Sequence, residues 1–347
     1  MIKVRECIAK MTGYIPGESA KEPDIVKLNQ NENRYPPSSK ALAAIRNAVD
    51  QLASYPDSTS PGIRKAAAEI YGVREDEVMA TNGSDEMLRI LFQSCCDPGD
   101  LAVSFYPSYT YYATLAAMQD ADYRLYDFER EYEIPAKLSL GDAKLAFLAN
   151  PNAPTGTVFP ENEVRRFIES VTGGLAVVDE AYADFSGQSA IPLLKDYDNL
   201  VVVRTFSKSY SLAGLRLGLG FARPELLTEL EKVRDYYNLD RLAQAGAEAA
   251  LLDQDWLADT TAKIIASRER TAKEVRRLGL KVYDSGANFL FIRCQNPQAA
   301  ERIFNGLRER RVLVRYFKNR GIDDCLRVSI GTDADMNTFL ARLAEVL

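Results

Sequence analysis

The sequence predicts an α/β fold, a mostly parallel sheet covered by helices on both faces, followed by a smaller α+β unit. Two observations carry the first part. Short apolar runs recur at residues 101–105, 144–149, 175–178 and 200–203, each followed by turn residues and an amphipathic stretch, the pattern of strands alternating with helices. These runs are apolar at neighbouring positions and not only at every second residue, so both faces of the sheet must be covered, as in a parallel sheet. The second part rests on a change of texture after about residue 240, where one long helical stretch gives way to short strands.

The elements follow in chain order. Residues 1–40, with Pro16-Gly17, Pro23 and Pro36-Pro37, read as an irregular arm. Residues 41–240 form the large α/β domain. A helical stretch from 239 to 278, broken near Asp253, opens the small α+β domain of residues 241–347, with strands at 289–292, 312–314 and 326–330. A chain of 347 residues that is 46% hydrophobic and 27% charged can bury the cores of two domains. There are no internal repeats.

Composition excludes several function classes. A net charge of −6 argues against nucleic acid or an anionic membrane as the main partner. The first residues have no apolar signal core, and no run of 18 apolar residues occurs, so a cytoplasmic protein is expected. Cys7, Cys95, Cys96, Cys294 and Cys325 lack metal-ligand spacing and read as free structural thiols, with no metal expected. The chain has no histidine, which removes every mechanism built on a His base or ligand. Proton transfer therefore falls to Lys, Tyr, Asp, Glu or a cofactor.

That absence puts weight on Lys208, which follows the apolar run 200–203 and emerges just past a strand end. Burial or cationic neighbours would make its amine a nucleophile for carbonyl compounds. Thr205, Ser207 and Arg216 supply two hydroxyls and a guanidinium suited to a phosphate. A phosphorylated aldehyde held as a Schiff base means pyridoxal phosphate; an ordinary surface loop is the plainer alternative. Asp179 ends the run 175–178, where a buried carboxylate needs a cationic partner such as a protonated pyridine nitrogen, unless it only caps the next helix. Gly83, Ser84 and Asp85 open a helix whose N-terminus suits a phosphate, or Ser84 or Asp85 is a simple N-cap. Tyr109 follows another strand and either lies on a flat heterocycle or wedges into the core.

Taken together, Lys208 with Thr205, Ser207 and Arg216, Asp179 and Tyr182 in Asp-Glu-Ala-Tyr, the run 150–156, Gly83-Ser84-Asp85 and Pro107-Ser108-Tyr109 resemble the fold-type-I pyridoxal-phosphate aminotransferases of class II along nearly the whole chain. The arm segment 28–38, together with Tyr14-Ile15-Pro16-Gly17, Tyr55-Pro56-Asp57, residues 237–241, 314–317 and 325–328, resembles their histidinol-phosphate branch. The resemblance implies a three-layer α/β/α domain, the cofactor pyridoxal 5′-phosphate, and transamination of L-histidinol phosphate with 2-oxoglutarate by a homodimer. A different transaminase, for example for aromatic amino acids, a threonine-phosphate decarboxylase and a silent binding protein on the same scaffold are the alternatives.

The resemblance also implies roles. Lys208 would hold the cofactor and shuttle a proton, Asp179 would pair with its pyridine nitrogen, Tyr182 would bond its phenolic oxygen and Tyr109 would stack on its ring. Gly83, Ser84, Asp85, Thr205, Ser207 and Arg216 would hold its phosphate, with Tyr55 reaching in from a second subunit. Arg315 and Arg327 would grip the substrate phosphate, unless they pair with carboxylates such as Asp323 or Asp324, and Tyr14 and Asn33 would line the substrate pocket. The chain departs from the family at Ala153, where an asparagine before proline usually bonds the phenolic oxygen. Either Asn152 turns in to replace it or Tyr182 carries that contact alone. Arg34 stands where proline is usual.

Overall fold

The computed structural model describes residues 3–13, 18 and 24–347. Thirteen strands lie among them: β1 Val26–Lys27, β2 Val78–Thr81, β3 Leu101–Tyr106, β4 Asp122–Asp127, β5 Leu145–Ala149, β6 Leu175–Asp179, β7 Leu200–Thr205, β8 Gly218–Phe221, β9 Lys281–Val282, β10 Phe289–Arg293, β11 Val312–Leu313, β12 Arg315–Tyr316 and β13 Cys325–Ser329. Seven of them form the main sheet in the order β2-β8-β7-β6-β5-β3-β4. Neighbours from β7 to β4 pair in parallel, and β8 runs opposite to both β7 and β2. All strands of this sheet except β8 therefore point the same way and deliver their C-terminal ends to one edge.

The side chains of β6 and β7 show how the sheet is covered. Ala176, Val178, Leu200 and Val202 face a core shared with helices Pro61–Tyr71, Glu161–Ser170 and Arg241–Leu251. Val177, Val201 and Val203 face the opposite core with helices Ser84–Cys95, Tyr111–Gln119 and Pro224–Glu231. Alternate residues thus point into different apolar cores, the physical reason for the uninterrupted apolar runs. The fold is the expected three-layer α/β/α arrangement.

A second, antiparallel sheet follows in the order β12-β13-β10-β9, with its own core of Leu290, Ile292, Leu326 and Val328 against helices Pro297–Glu309 and Asp333–Val346. The long helical stretch breaks where expected: one helix ends at Leu251 and the next, Gln254–Arg277, begins beyond Asp253. The Asp253 carboxylate bonds Lys40 Nζ (2.7 Å) and the Ser38 hydroxyl, tying the break to the start of helix Ser39–Ala48.

The arm is less irregular than its prolines suggest. From Val26 it joins the C-terminal unit: β1 pairs in parallel with β11, and the Leu28 carbonyl accepts the Ser329 N–H at 2.9 Å. Leu28 is fully buried there, so hydrophobic burial and backbone pairing pin this stretch despite its polar surroundings. Arg34 meets Asp335 at 3.4 Å.

Candidate active site

The C-terminal edge of the main sheet, the arm and the second sheet enclose a cavity of 440 Å³. Eleven of the residues singled out from the sequence line it: Ser84, Asp85, Tyr109, Asp179, Tyr182, Thr205, Ser207, Lys208, Arg216, Arg315 and Arg327. Those of the main sheet lie at or follow the ends of β2, β3, β6 and β7, as the strand-end rule for such sheets requires, with Arg216 just before β8, and Arg315 and Arg327 come from β12 and β13.

Lys208 stands on the cavity wall three residues past β7. Its Nζ donates to the Gln30 carbonyl at 3.2 Å and sits 5.9 Å from the Tyr182 ring centre. Burial, reinforced by the Arg327 cation, lowers its pKa to about 8, while Glu32 and Asp85 work in the opposite direction. A neutral amine is therefore accessible near neutral pH, as a carbonyl nucleophile requires.

Asp179, at the end of β6, is 5% exposed. Its Oδ2 accepts the Tyr112 hydroxyl at 2.7 Å and its Oδ1 accepts the Ala181 N–H at 3.1 Å. Burial raises its pKa to about 6, and these two hydrogen bonds only partly offset it. Both contacts are neutral donors, and among the described residues no ion pair reaches this carboxylate on the cavity wall; a protonated ring nitrogen would supply the cation.

The phosphate cradle is built from backbone and hydroxyls. Gly83, with φ 79°, turns the chain into helix Ser84–Cys95, whose N-terminus suits an anion; the Glu86 N–H is taken by the Gly83 carbonyl at 3.2 Å. At φ 79° and ψ 162° the backbone of Gly83 favours glycine, and a Cβ there would push the Arg216 guanidinium aside from 2.7 Å. Arg216 Nη1 donates to Ser207 Oγ at 3.1 Å, and the Thr205 hydroxyl meets Ser207 Oγ at 3.0 Å. Asp85 contributes differently from the phosphate contact that the resemblance implies: its carboxylate takes Arg216 Nη2 (3.1 Å) and the Tyr109 hydroxyl (3.1 Å). A carboxylate repels an anion, so only the Asp85 backbone N–H could serve one. A nucleophilic lysine, a carboxylate awaiting a cation, an anion cradle that a Cβ would crowd and a flanking tyrosine fit pyridoxal phosphate as a donor set.

Arg315 and Arg327 are direct cross-strand partners of β12 and β13. Arg327 lies over the Phe289 ring (5.4 Å) and donates from Nη2 to the Asn29 carbonyl (3.2 Å); Arg315 lies 5.9 Å from the Phe317 ring. Asp324 pairs with Arg293 at 3.2 Å.

Four of the singled-out residues do not line the cavity. Gly83 acts through its turn. Asn152 is fully buried, with Nδ2 donating to the Pro107 carbonyl (3.0 Å) and Thr155 Oγ1 (2.8 Å), while Ala153 faces the cavity. Asn33 donates to the Ser209 carbonyl at 3.1 Å, fastening the arm to the loop after Lys208. Tyr55 is 77% exposed and stacked on Tyr237 at 4.5 Å, outside this chain's own cavity. Tyr14 falls outside the described residues.

Sequence reasoning passed over Tyr112, Gln30 and Asn31. Nothing local marks Tyr112, because its contact with Asp179 spans 67 residues. Asn31 was legible as part of the arm segment, yet its partner Tyr182, bonded at 2.9 Å, lies 151 residues away.

Residues 23–343 match the family described as aminotransferase class I and II. The chain is 44% identical over 348 residues to a histidinol-phosphate aminotransferase of Geotalea daltonii and 45% identical over 351 residues to that of Geotalea uraniireducens, with 100% of each chain covered in both cases. Among solved structures it is similar to histidinol-phosphate aminotransferase from Sinorhizobium meliloti in complex with pyridoxal-5′-phosphate, with a TM-score of 0.90 and 26% identity, covering 100% of this chain and 98% of that one.

Proposed function

The chain belongs to the class I and II aminotransferases, and from that premise we propose that it transfers the amino group of L-histidinol phosphate to 2-oxoglutarate, giving imidazole acetol phosphate and L-glutamate, a step of histidine biosynthesis. The observation that carries the substrate is the facing pair Arg315 and Arg327 on the cavity. Two guanidiniums side by side match a phosphate dianion better than a single carboxylate. Full-length identity of 44% and 45% to histidinol-phosphate aminotransferases supports the same reading.

The cofactor is pyridoxal 5′-phosphate, which when bound supplies an aldehyde to capture amines and an electron-withdrawing ring to acidify the substrate's α-carbon. Lys208 Nζ would hold the cofactor and would serve as the base that takes up and returns the substrate's α-proton. Its lowered pKa lets it act as a base near neutral pH. Asp179 keeps the ring nitrogen protonated, and Tyr182 bonds the phenolic oxygen. Tyr109 lies against the ring, while Ser84, Thr205, Ser207, Arg216 and the Gly83–Asp85 backbone hold the phosphate. Tyr55 reaches the phosphate of the other subunit in a homodimer, which its exposure permits. Asn33 shapes the substrate side through the arm it fastens, and Tyr14 belongs to that arm.

No helix among the described residues is long and apolar enough to cross a membrane, in keeping with a cytoplasmic enzyme. Product analysis with histidinol phosphate and 2-oxoglutarate, run beside phenylalanine and threonine phosphate, tests the proposal. Glutamate formed from histidinol phosphate is the expected result. Turnover of phenylalanine without histidinol phosphate would overturn the substrate, and a protein that cannot take up the cofactor would overturn the reaction.

A further inference from the structure

Ala153 offers no polar group to the cavity and Asn152 Nδ2 is spent on the Pro107 carbonyl and Thr155 Oγ1, so neither residue supplies the Tyr182 hydroxyl with a partner. That hydroxyl is held instead by Asn31, which also lines the cavity. Asn31 Nδ2 donates to it at 2.9 Å, and Asn31 itself is 1% exposed and fixed on every polar atom. Its N–H donates to Ser329 Oγ (2.8 Å), the Ser329 hydroxyl donates to Asn31 Oδ1 (3.0 Å), and its carbonyl accepts Asn288 Nδ2 (3.0 Å).

The amide turns its Oδ1 to the Ser329 hydroxyl and its NH₂ group to Tyr182, with Ser329 Oγ taking the Asn31 N–H and giving its own proton to Oδ1. An amide NH₂ cannot accept, so the tyrosine proton cannot point back at Asn31. The ring edge packs on Phe289 (5.1 Å), which offers no acceptor either. The remaining direction is the cavity.

We infer that Asn31 is a positioning residue for Tyr182: clamped by Ser329 and Asn288, it turns the tyrosine proton into the cavity so that this hydroxyl alone donates to the cofactor's phenolic oxygen. The inference rests on the cofactor reading above and assigns the part that an asparagine at position 153 would have played. The charged groups around Tyr182 are Lys208, Arg327, Asp179 and Asp85. Burial raises the Tyr182 pKa, and the Asn31 bond is among the contacts that lower it, which makes the hydroxyl a better donor. Asn31 has φ 57°, a conformation that suits Asn, Asp or Gly.

The test reads the pH at which the visible absorption of the cofactor-loaded protein changes. A proton donated to the phenolic oxygen weakens that oxygen's hold on the proton of the neighbouring lysine-derived nitrogen, so losing the donor raises this pH. Asn31→Gly keeps the backbone and should raise it by roughly one unit, the scale of one hydrogen bond to a charged group. Tyr182→Phe should raise it similarly, and the double variant should go no further than Tyr182→Phe alone. Asn31→Asp keeps the Ser329 bond but accepts the tyrosine proton; its shift should be larger with Tyr182 present than in the Tyr182→Phe background. Additive shifts in the double variant, no shift in Asn31→Gly, or equal Asn31→Asp shifts in both backgrounds would overturn the inference. A wild-type protein that takes up the cofactor separates any such failure from failure of the cofactor reading itself.

Discussion

Arg315 and Arg327 face each other across the antiparallel pair β12 and β13, two like charges at one register position on the cavity wall. Like charges directly opposite cost a few tenths of a kcal/mol to about 1 kcal/mol in a sheet. A substrate dianion turns that cost into binding. Arg315→Gln should therefore leave the melting temperature unchanged or slightly higher, yet lower kcat/KM for histidinol phosphate by about 10- to 150-fold, the equivalent of roughly 1.5–3 kcal/mol for a charge-assisted contact. Melting curves beside steady-state kinetics check both halves. An equal loss for a substrate without phosphate would refute the assignment.

Lys208 predicts a pH profile for cofactor uptake. Only the neutral amine attacks an aldehyde, and with a pKa of about 8 about a tenth of the protein is reactive at pH 7, against well under a thousandth at the ordinary lysine value. Uptake by cofactor-free protein should accelerate with pH and level off just above 8. Because the Arg327 cation is part of what lowers this pKa, Arg327→Gln should move the midpoint upward. Stopped-flow absorbance of wild type and variant measures both, and Lys208→Ala should show no borohydride-stable label.

Asp179 is stabilising for the loaded enzyme and costly for the empty one. Its pKa rises from 3.8 to about 6 through burial, so the folded state binds the proton more tightly than the unfolded chain. The sign follows: stability is lost as pH rises from about 4 through 6, and the full cost persists above. Two units correspond to about 3 kcal/mol as an upper bound. Asp179→Asn should raise the melting temperature of cofactor-free protein at pH 8 and lose that advantage near pH 4, while transamination falls steeply. A variant less stable than wild type at pH 8 would contradict this.

Much of this was legible because it is local. The runs that became β3, β5, β6 and β7 are apolar on both faces, and Asp179 and Lys208 sit directly after two of them. Strands β4 and β8 were not. β4 is a mostly exposed edge with alternating polar residues, and β8 has glycine at two of its four positions; Gly218 is required because a Cβ there would lie 2.5 Å from the Ser84 nitrogen. The contacts of Tyr112 with Asp179 and of Asn31 with Tyr182 and Ser329 escaped for another reason: only tertiary closure, over 67 to 298 residues, brings them together.

Tyr55 supplies the last prediction. It is 77% exposed and stacks on Tyr237, which in turn meets the exposed ring of Tyr236, so three aromatic rings lie together at the surface. If Tyr55 serves the neighbouring subunit, Tyr55→Ala should weaken cofactor retention without altering the Lys208 uptake midpoint, since it acts on the phosphate alone. Mixing variants separates this from a general loss of folding. If two chains share their sites in this way, Lys208→Ala dimers should be inactive and Tyr55→Ala dimers weakened, whereas a heterodimer of the two would have one site with both the intact lysine and the partner's intact tyrosine. That site should bind cofactor as tightly as wild type, so co-expressed, tag-separated heterodimers should regain wild-type retention in half of their sites. Retention no better than in the Tyr55→Ala homodimer would place Tyr55 outside the shared site.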